Sequence, residues 1–323
     1  RCWVWKYKKP TVNVFQGWLQ SLAKRGGRIK APSNMEFATP TSSKPLIEEI
    51  TRDGSKSESP QDGMKDEGAL SFSIIPLTVG ESVDEIAKGK ETKDLMMKWG
   101  VDRTLCIGKF RFSGKFAKPE TALLDFFNNA QVQSALGHLT KPGLRFPTKS
   151  YSKVEYKQLS STAVDMKMFN RLKGSNVVGQ TGYIRKCMDE IYDGATCCNL
   201  LMDMLLNEDS ENAFIYEESE KDELLFQLFK WLSVGGALNQ PEEMITPYLD
   251  VVKVIYKSLV SVVKNADTGN IQVVSKAFLV KSLDGSTEDL FPSDNENSIC
   301  LVIFNPTTRT VTYFNSAFIP FLS

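Results

Sequence analysis

The chain has 323 residues, of which 41% are apolar and 24% charged, and its 39 basic and 39 acidic residues balance to zero. That is the composition of a globular protein with room for one large domain or two modest ones. It excludes a membrane-spanning chain, because no apolar run approaches the roughly 18–20 residues needed to cross a bilayer.

The six cysteines, Cys2, Cys106, Cys187, Cys197, Cys198 and Cys300, are too few and too irregular for a disulfide framework. No Asn-x-Ser/Thr acceptor occurs, since Asn305 is followed by Pro306. The start does not read as a signal peptide, because Trp3, Val4 and Trp5 are interrupted by Lys6, Lys8 and Lys9. A first residue of Arg1 reads as a fragment or an imperfect gene model. Together these features predict a cytoplasmic protein.

Charge divides the chain. Residues 1–30 carry eight Lys/Arg and no Asp/Glu, residues 31–69 four basic and eight acidic groups, and residues 70–323 twenty-seven basic and thirty-one acidic groups. The basic leader could line a helix face with Val12, Val14, Phe15, Trp18, Leu19 and Leu22. It reads as a docking or targeting peptide, or as a disordered tail that is not native. Residues 31–69 read as a disordered linker, since they offer little to bury against an ordering cost of about 1–2 kcal/mol per residue. The remainder, 70–323, is predicted to form a single α+β domain.

Within that body, Leu70–Leu77 reads as a strand ending near Pro76, and 81–99 as a helix weakened by Gly89. Thr104–Phe112 reads as a second strand, an edge strand defended by charge. Alternation puts Leu105, Ile107, Lys109 and Arg111 on one face, and Cys106, Phe110 and Phe112 on the other. Pro119 opens a single long helix with an apolar stripe from Leu123 to Leu136, stopped by Lys141-Pro142-Gly143. Ile184, Cys187, Met188 and Ile191 recur at helical intervals, and a second helical run follows through Leu200, Leu201, Met204 and Leu205.

Ser219-Glu220-Lys221-Asp222 reads as a capping box before a helix that is apolar on nearly every side, from Leu224 to Leu232, and therefore buried. Gly235 and Gly236 end it with a left-handed backbone. Thr246-Pro247 announces another helix, with Val252, Ile255, Tyr256 and Leu259 on its core face. Asn265–Asn270 is a turn. Three strands close the chain, Ile271–Ser282, Ile299–Phe304 and Arg309–Asn315, the last two joined by a hairpin loop at 305–308. Strands at both ends with helices between them predict an α+β fold built on a mainly antiparallel sheet with several packed helices.

A search for chemistry gives little. The single histidine, His138, stands at a predicted helix end with no nucleophile motif beside it, which leaves no two-histidine zinc motif. Cys187, Cys197 and Cys198 lack zinc-site spacing and read as packing residues. Gly108–Lys115 approaches a phosphate loop but has five residues between its glycines and Phe116 where the hydroxyl belongs. The acidic loop Asp284–Asn297 lacks calcium-loop spacing. No catalytic residue, cofactor or metal is assigned, and a mildly acidic body is not expected to bind nucleic acid or membrane.

One stretch carries a resemblance. The segment Glu223–Gln240, ELLFQLFKWLSVGGALNQ, continues through Glu242, Ile245, Pro247, Tyr248, Leu249, Lys253, Ile255-Tyr256-Lys257 and Leu259–Val262 to Lys264-Asn265 and Ile271-Gln272. Weaker similarity includes Met97-Lys98-Trp99, Lys109-Phe110, Asp125–Phe127 and Ile184–Cys187. In this order the residues resemble the cilia- and flagella-associated protein 300 family over roughly 90–320, and nothing in 1–69 does. The resemblance implies a non-enzymatic cytoplasmic factor that helps build inner and outer axonemal dynein arms and travels with intraflagellar transport into motile cilia. Its partners would be dynein-arm assembly factors or the transport machinery. The region of Trp231, Leu238, Gln240 and Glu242, where the resemblance is densest, is the candidate contact, with Gly235 and Gly236 as a structural turn. Two other readings stand beside this one, a stable structural component of the axoneme and a small-molecule-binding module or enzyme.

Because residues 1–69 show no sustained apolar periodicity, deleting them should leave the thermal melting of 70–323 nearly unchanged. A fall of many degrees would show that the basic leader packs on the domain as one of its elements.

Overall fold

The computed structural model describes residues 70–75, 86–116, 118–139, 146–265 and 269–320. The predicted basic leader, the linker, residues 81–85 of the first helix and the Lys141-Pro142-Gly143 stop lie outside the described residues.

Six strands form one sheet in the order β1-β2-β10-β9-β8-β3, antiparallel throughout. They are β1 (Ser71–Ile75), β2 (Leu105–Ser113), β3 (Val154–Leu159), β8 (Lys276–Leu283), β9 (Ile299–Asn305) and β10 (Thr310–Ser316). Two hairpins stand apart, β4 (Lys186–Tyr192) with β5 (Ala195–Asn199), and β6 (Val262–Lys264) with β7 (Ile271–Val273). The α+β architecture with a mainly antiparallel sheet is the one the sequence predicts.

Both faces of the sheet are covered. Every residue of β9 is buried, as is all of β10 after Thr310. The two faces of β2 part as alternation requires. Leu105 and Ile107 join one core, with Phe314 and Leu301; Cys106, Phe110 and Phe112 join the other, with Val302, Phe304 and Tyr313. The second core is closed by α2 (Pro119–Asn128) and α3 (Ala130–Leu139). The first is closed by α4 (Leu200–Leu206), α6 (Leu224–Val234) and α7 (Ile245–Leu259), with α1 (Lys90–Lys98) packed on α7. A short α5 (Glu218–Lys221) precedes α6.

Several expectations need correction. β2 is an interior strand, hydrogen-bonded to β1 on one side and β10 on the other, so charge does not guard an edge there. Gly108 sits mid-strand, where a Cβ would meet Leu139 Cδ1 at 3.0 Å and Phe110 at 2.9 Å; it admits the end of α3 to the sheet and is not a phosphate loop. The long helix from Pro119 is two helices, because Asn129 leaves helical geometry (φ −74°, ψ 123°) and its side-chain oxygen accepts the N–H groups of Gln131 and Val132. Helix α1 starts only after Gly89, at φ 100°.

The predicted helix through Ile184–Ile191 is instead the strand β4, which turns back at Asp193-Gly194 with both residues at positive φ. Cys197 and Cys198 accordingly lie on β5, and the helix behind them is capped by Asn199, whose side chain accepts the Met202 N–H. The capping box sits two residues earlier than expected, with the Glu217 N–H donating to Glu220. Thr246-Pro247 lie inside the first turn of α7, which begins at Ile245. The predicted strand Ile271–Ser282 is broken at Val274-Ser275 into β7 and β8.

The break at Asn129 gives a direct test. Asn129→Ala removes the acceptor for two otherwise unpaired N–H groups, so the variant should lose about 1 kcal/mol of stability. Denaturant unfolding should show a lower midpoint with an unchanged slope.

Candidate functional site

The region singled out by sequence is a clasp between the end of α1 and the loop after α6. The Gly235 N–H donates to Trp231 O at 3.0 Å and closes the helix; its φ of 69° is one a glycine adopts freely. The Gly236 N–H then crosses to Trp99 O (2.8 Å), and the Gln240 N–H to Lys98 O (3.1 Å). Gly236 does not have the left-handed backbone expected of it. Its requirement is closeness, because a Cβ there would lie 2.6 Å from Gly100 O. Asn239 supplies the cap that the glycines lack, its Nδ2 donating to Val234 O at 2.9 Å and Ser233 O at 3.3 Å.

Glu242 fastens the other end. One carboxylate oxygen accepts from Lys98 Nζ (2.7 Å) and Trp99 Nε1 (3.1 Å), while the Glu242 N–H donates to the Tyr248 hydroxyl (3.0 Å). The Trp99 and Tyr248 rings stack at 4.6 Å, and burial raises the pKa of the Tyr248 phenol. Lys98 is more than a third exposed, so the ion pair itself contributes at most about 1 kcal/mol. The stacked rings and the backbone crossing hold the clasp.

The four candidate contact residues thus fall into three settings. Trp231 is buried, edge-on to Phe314 at 4.9 Å, and does not reach the surface. Glu242 is mostly spent on Lys98 and Trp99. Leu238 and Gln240 are exposed, and Leu238 with Met97, Met244 and Tyr183 leaves apolar side chains open around the clasp. Sequence reading missed Lys98, Asn239 and Tyr248 as partners of this loop, although Met97-Lys98-Trp99 and Tyr248 stood among the residues carrying the resemblance.

The other candidates are placed as follows. His138 is exposed in the last turn of α3. Cys187 and Cys197 face each other across the hairpin at 3.9 Å between sulfurs, and burial pushes both thiols up, Cys197 to about 12. Among the described residues no group of three His, Cys, Asp or Glu side chains could hold a metal ion, and no helix is long and apolar enough to cross a membrane.

A cleft of about 770 Å³ lies elsewhere, between β3, β8, α4 and α6. It is lined by Lys157, Asp193, Glu208, Phe214, Lys221 and Lys230 among others. Ion pairs within the chain occupy Lys157 (Asp222, 2.5 Å) and Lys221 (Glu218, 2.6 Å).

The family model described as "Cilia- and flagella-associated protein 300" matches residues 76–316. A curated protein of that name from Chlamydomonas reinhardtii is 31% identical over 239 residues, covering 71% of this chain and 92% of the relative. Another from Paramecium tetraurelia is 30% identical over 229 residues, covering 70% of this chain and 87% of its own length. No solved structure matches.

The clasp is sensitive at one backbone atom. Gly236→Ala would press a methyl group on Gly100 O, which cannot move without shifting α1, and overpacking of this kind costs about 1–3 kcal/mol. Melting should fall by several degrees, at about 2–4 °C per kcal/mol for a domain of this size. A variant that keeps wild-type stability but loses a partner would make the turn a binding element instead.

Proposed function

The chain belongs to the cilia- and flagella-associated protein 300 family, and we propose that it acts as a non-catalytic factor in assembling or delivering inner and outer axonemal dynein arms. What carries this reading is the extent of the match. It begins six residues after Leu70 and runs to Ser316, so it takes in nearly all of the sheet and every helix that covers it.

Such a factor would work in the cytoplasm before installation and accompany its cargo into motile cilia. Its contacts would be protein to protein, with dynein-arm assembly factors or the intraflagellar transport machinery. Exposed Leu238 and Gln240, held in place by the clasp beneath them, support a contact there because a rigid backbone spares a binding surface the entropy of ordering.

Loss of the protein should leave cilia present but poorly motile, with both rows of dynein arms depleted and the doublet microtubules intact. Electron microscopy of axonemes from cells lacking the protein decides the matter, and intact inner and outer arms would refute the proposal. Fractionation separates the neighbouring reading. A factor of assembly is recovered mainly in cytosol, whereas a fixed axonemal component stays with salt-washed axonemes.

A further inference from the structure

The three most exposed large apolar side chains of the described residues lie on β4 and on the segment that follows α4. Phe214 is 85% exposed, Met188 83% and Ile191 67%. Phe214 lines the cleft itself; Met188 and Ile191 lie along β4, whose tip residue Asp193 lines it too. β4 pairs with β5 alone among the described strands. Surfaces of this kind, with a strand so paired and protruding anchors, are suited to receiving a peptide.

Charge says which kind. From Cys187 to Glu223 the sequence holds twelve Asp/Glu against one basic residue, Lys221. Asp189, Glu190, Asp193, Glu208, Asp209 and Glu211 are all exposed. The floor of the cleft has the opposite need. Among the described residues Lys230 Nζ makes no ion pair, and its desolvation lowers its pKa, while the buried Asn297 Nδ2 finds no acceptor there. A polypeptide with basic side chains would meet the carboxylates at the rim and offer its carbonyl oxygens to these two donors.

The same chain carries such a polypeptide. Residues 1–30 hold eight Lys/Arg and no acid, together with Trp3, Trp5, Phe15 and Trp18. We propose that residues 1–30 dock on the surface formed by the β4–β5 hairpin and the segment 207–221 of the same molecule, covering Phe214.

Reach is sufficient. The cleft opens beside β3 and β8, and β1 lies at the far edge of the sheet, about 24 Å away at the usual strand spacing. The 39 residues of 31–69, with coil statistics, span about 35 Å. Tethering at that distance gives an effective concentration in the millimolar range, so a weak contact is populated. A contact favoured about tenfold is worth about 1.4 kcal/mol and moves melting by only a few degrees, which leaves the leader dispensable for folding. The segment lies outside the matched residues 76–316, so the inference stands apart from the proposed function.

Zero-length carbodiimide coupling of the full chain at low micromolar concentration, read by peptide mass spectrometry of the monomer band, tests it. Lys6, Lys8, Lys9 or Lys24 should couple to Glu208, Asp209, Glu211 or Glu218 in preference to other carboxylates. The yield should fall about fivefold in 0.5 M salt, where exposed charges are screened. It should fall similarly in E208K/D209K/E211K, with melting lowered by no more than those few degrees as the control for folding, and in F214S. Coupling spread evenly over the body, confined to a dimer band, or indifferent to salt and to these variants would overturn the proposal.

Discussion

A single constraint organises the molecule: an antiparallel sheet whose central strands are apolar on both faces has to be covered twice. Ile299–Asn305 presents Leu301 and Ile303 to one side and Cys300, Val302 and Phe304 to the other, with none of them open to water. Antiparallel sheets often leave one face solvated. Here burying a side chain the size of Leu or Phe contributes about 1.5–3 kcal/mol, so neither face can be spared. The helix pair α2–α3 and the group α4, α6 and α7 are the two answers. α6 lies deepest, with nine of its eleven residues buried.

Covering the first face creates the clasp. α6 must end abruptly for the chain to return along α7, and the turn is wedged against the end of α1. Two glycine backbones, Gly100 and Gly236, come close enough that a Cβ on Gly236 would lie 2.6 Å from Gly100 O. The stack of Trp99 on Tyr248 and the bonds from Lys98 and Trp99 to Glu242 then lock α1 to a loop 144 residues away in sequence. Loop Leu238–Gln240 is held from beneath by this arrangement, although its outer side is free.

What sequence could show follows from the range of each interaction. Alternation in β2, the all-round apolarity of α6 and the loop joining β9 to β10 are local patterns, and all were legible. Ile184, Cys187, Met188 and Ile191 misled because residues at three- and four-residue spacing fit a helix face equally well. The turn residues Asp193-Gly194 were the signal that could have decided for a hairpin. Asn129 was illegible for another reason: a helix-to-helix break by one capping side chain leaves the apolar stripe uninterrupted. The clasp was hidden because its partners are distant in sequence. Gly236 looked like a conformational glycine, and only the position of Gly100 O shows it to be a steric one.

The distribution of similarity bears on how a contact surface is to be sought. The densest resemblance runs through Glu223–Gln240, and that segment is mostly core: Leu224, Leu225, Phe226, Leu228, Phe229, Trp231 and Leu232 are buried. Similarity there is explained by packing, since a buried position accepts few side chains whatever the protein binds. Dense resemblance is therefore a poor guide to a contact surface in this fold. The exposed side chains around the clasp and the β4 hairpin are the better guide, because packing does not account for Leu238 at 49% exposure or Met188 at 83%. Those groups contribute nothing to the core, so substitution there can change a contact without changing the fold.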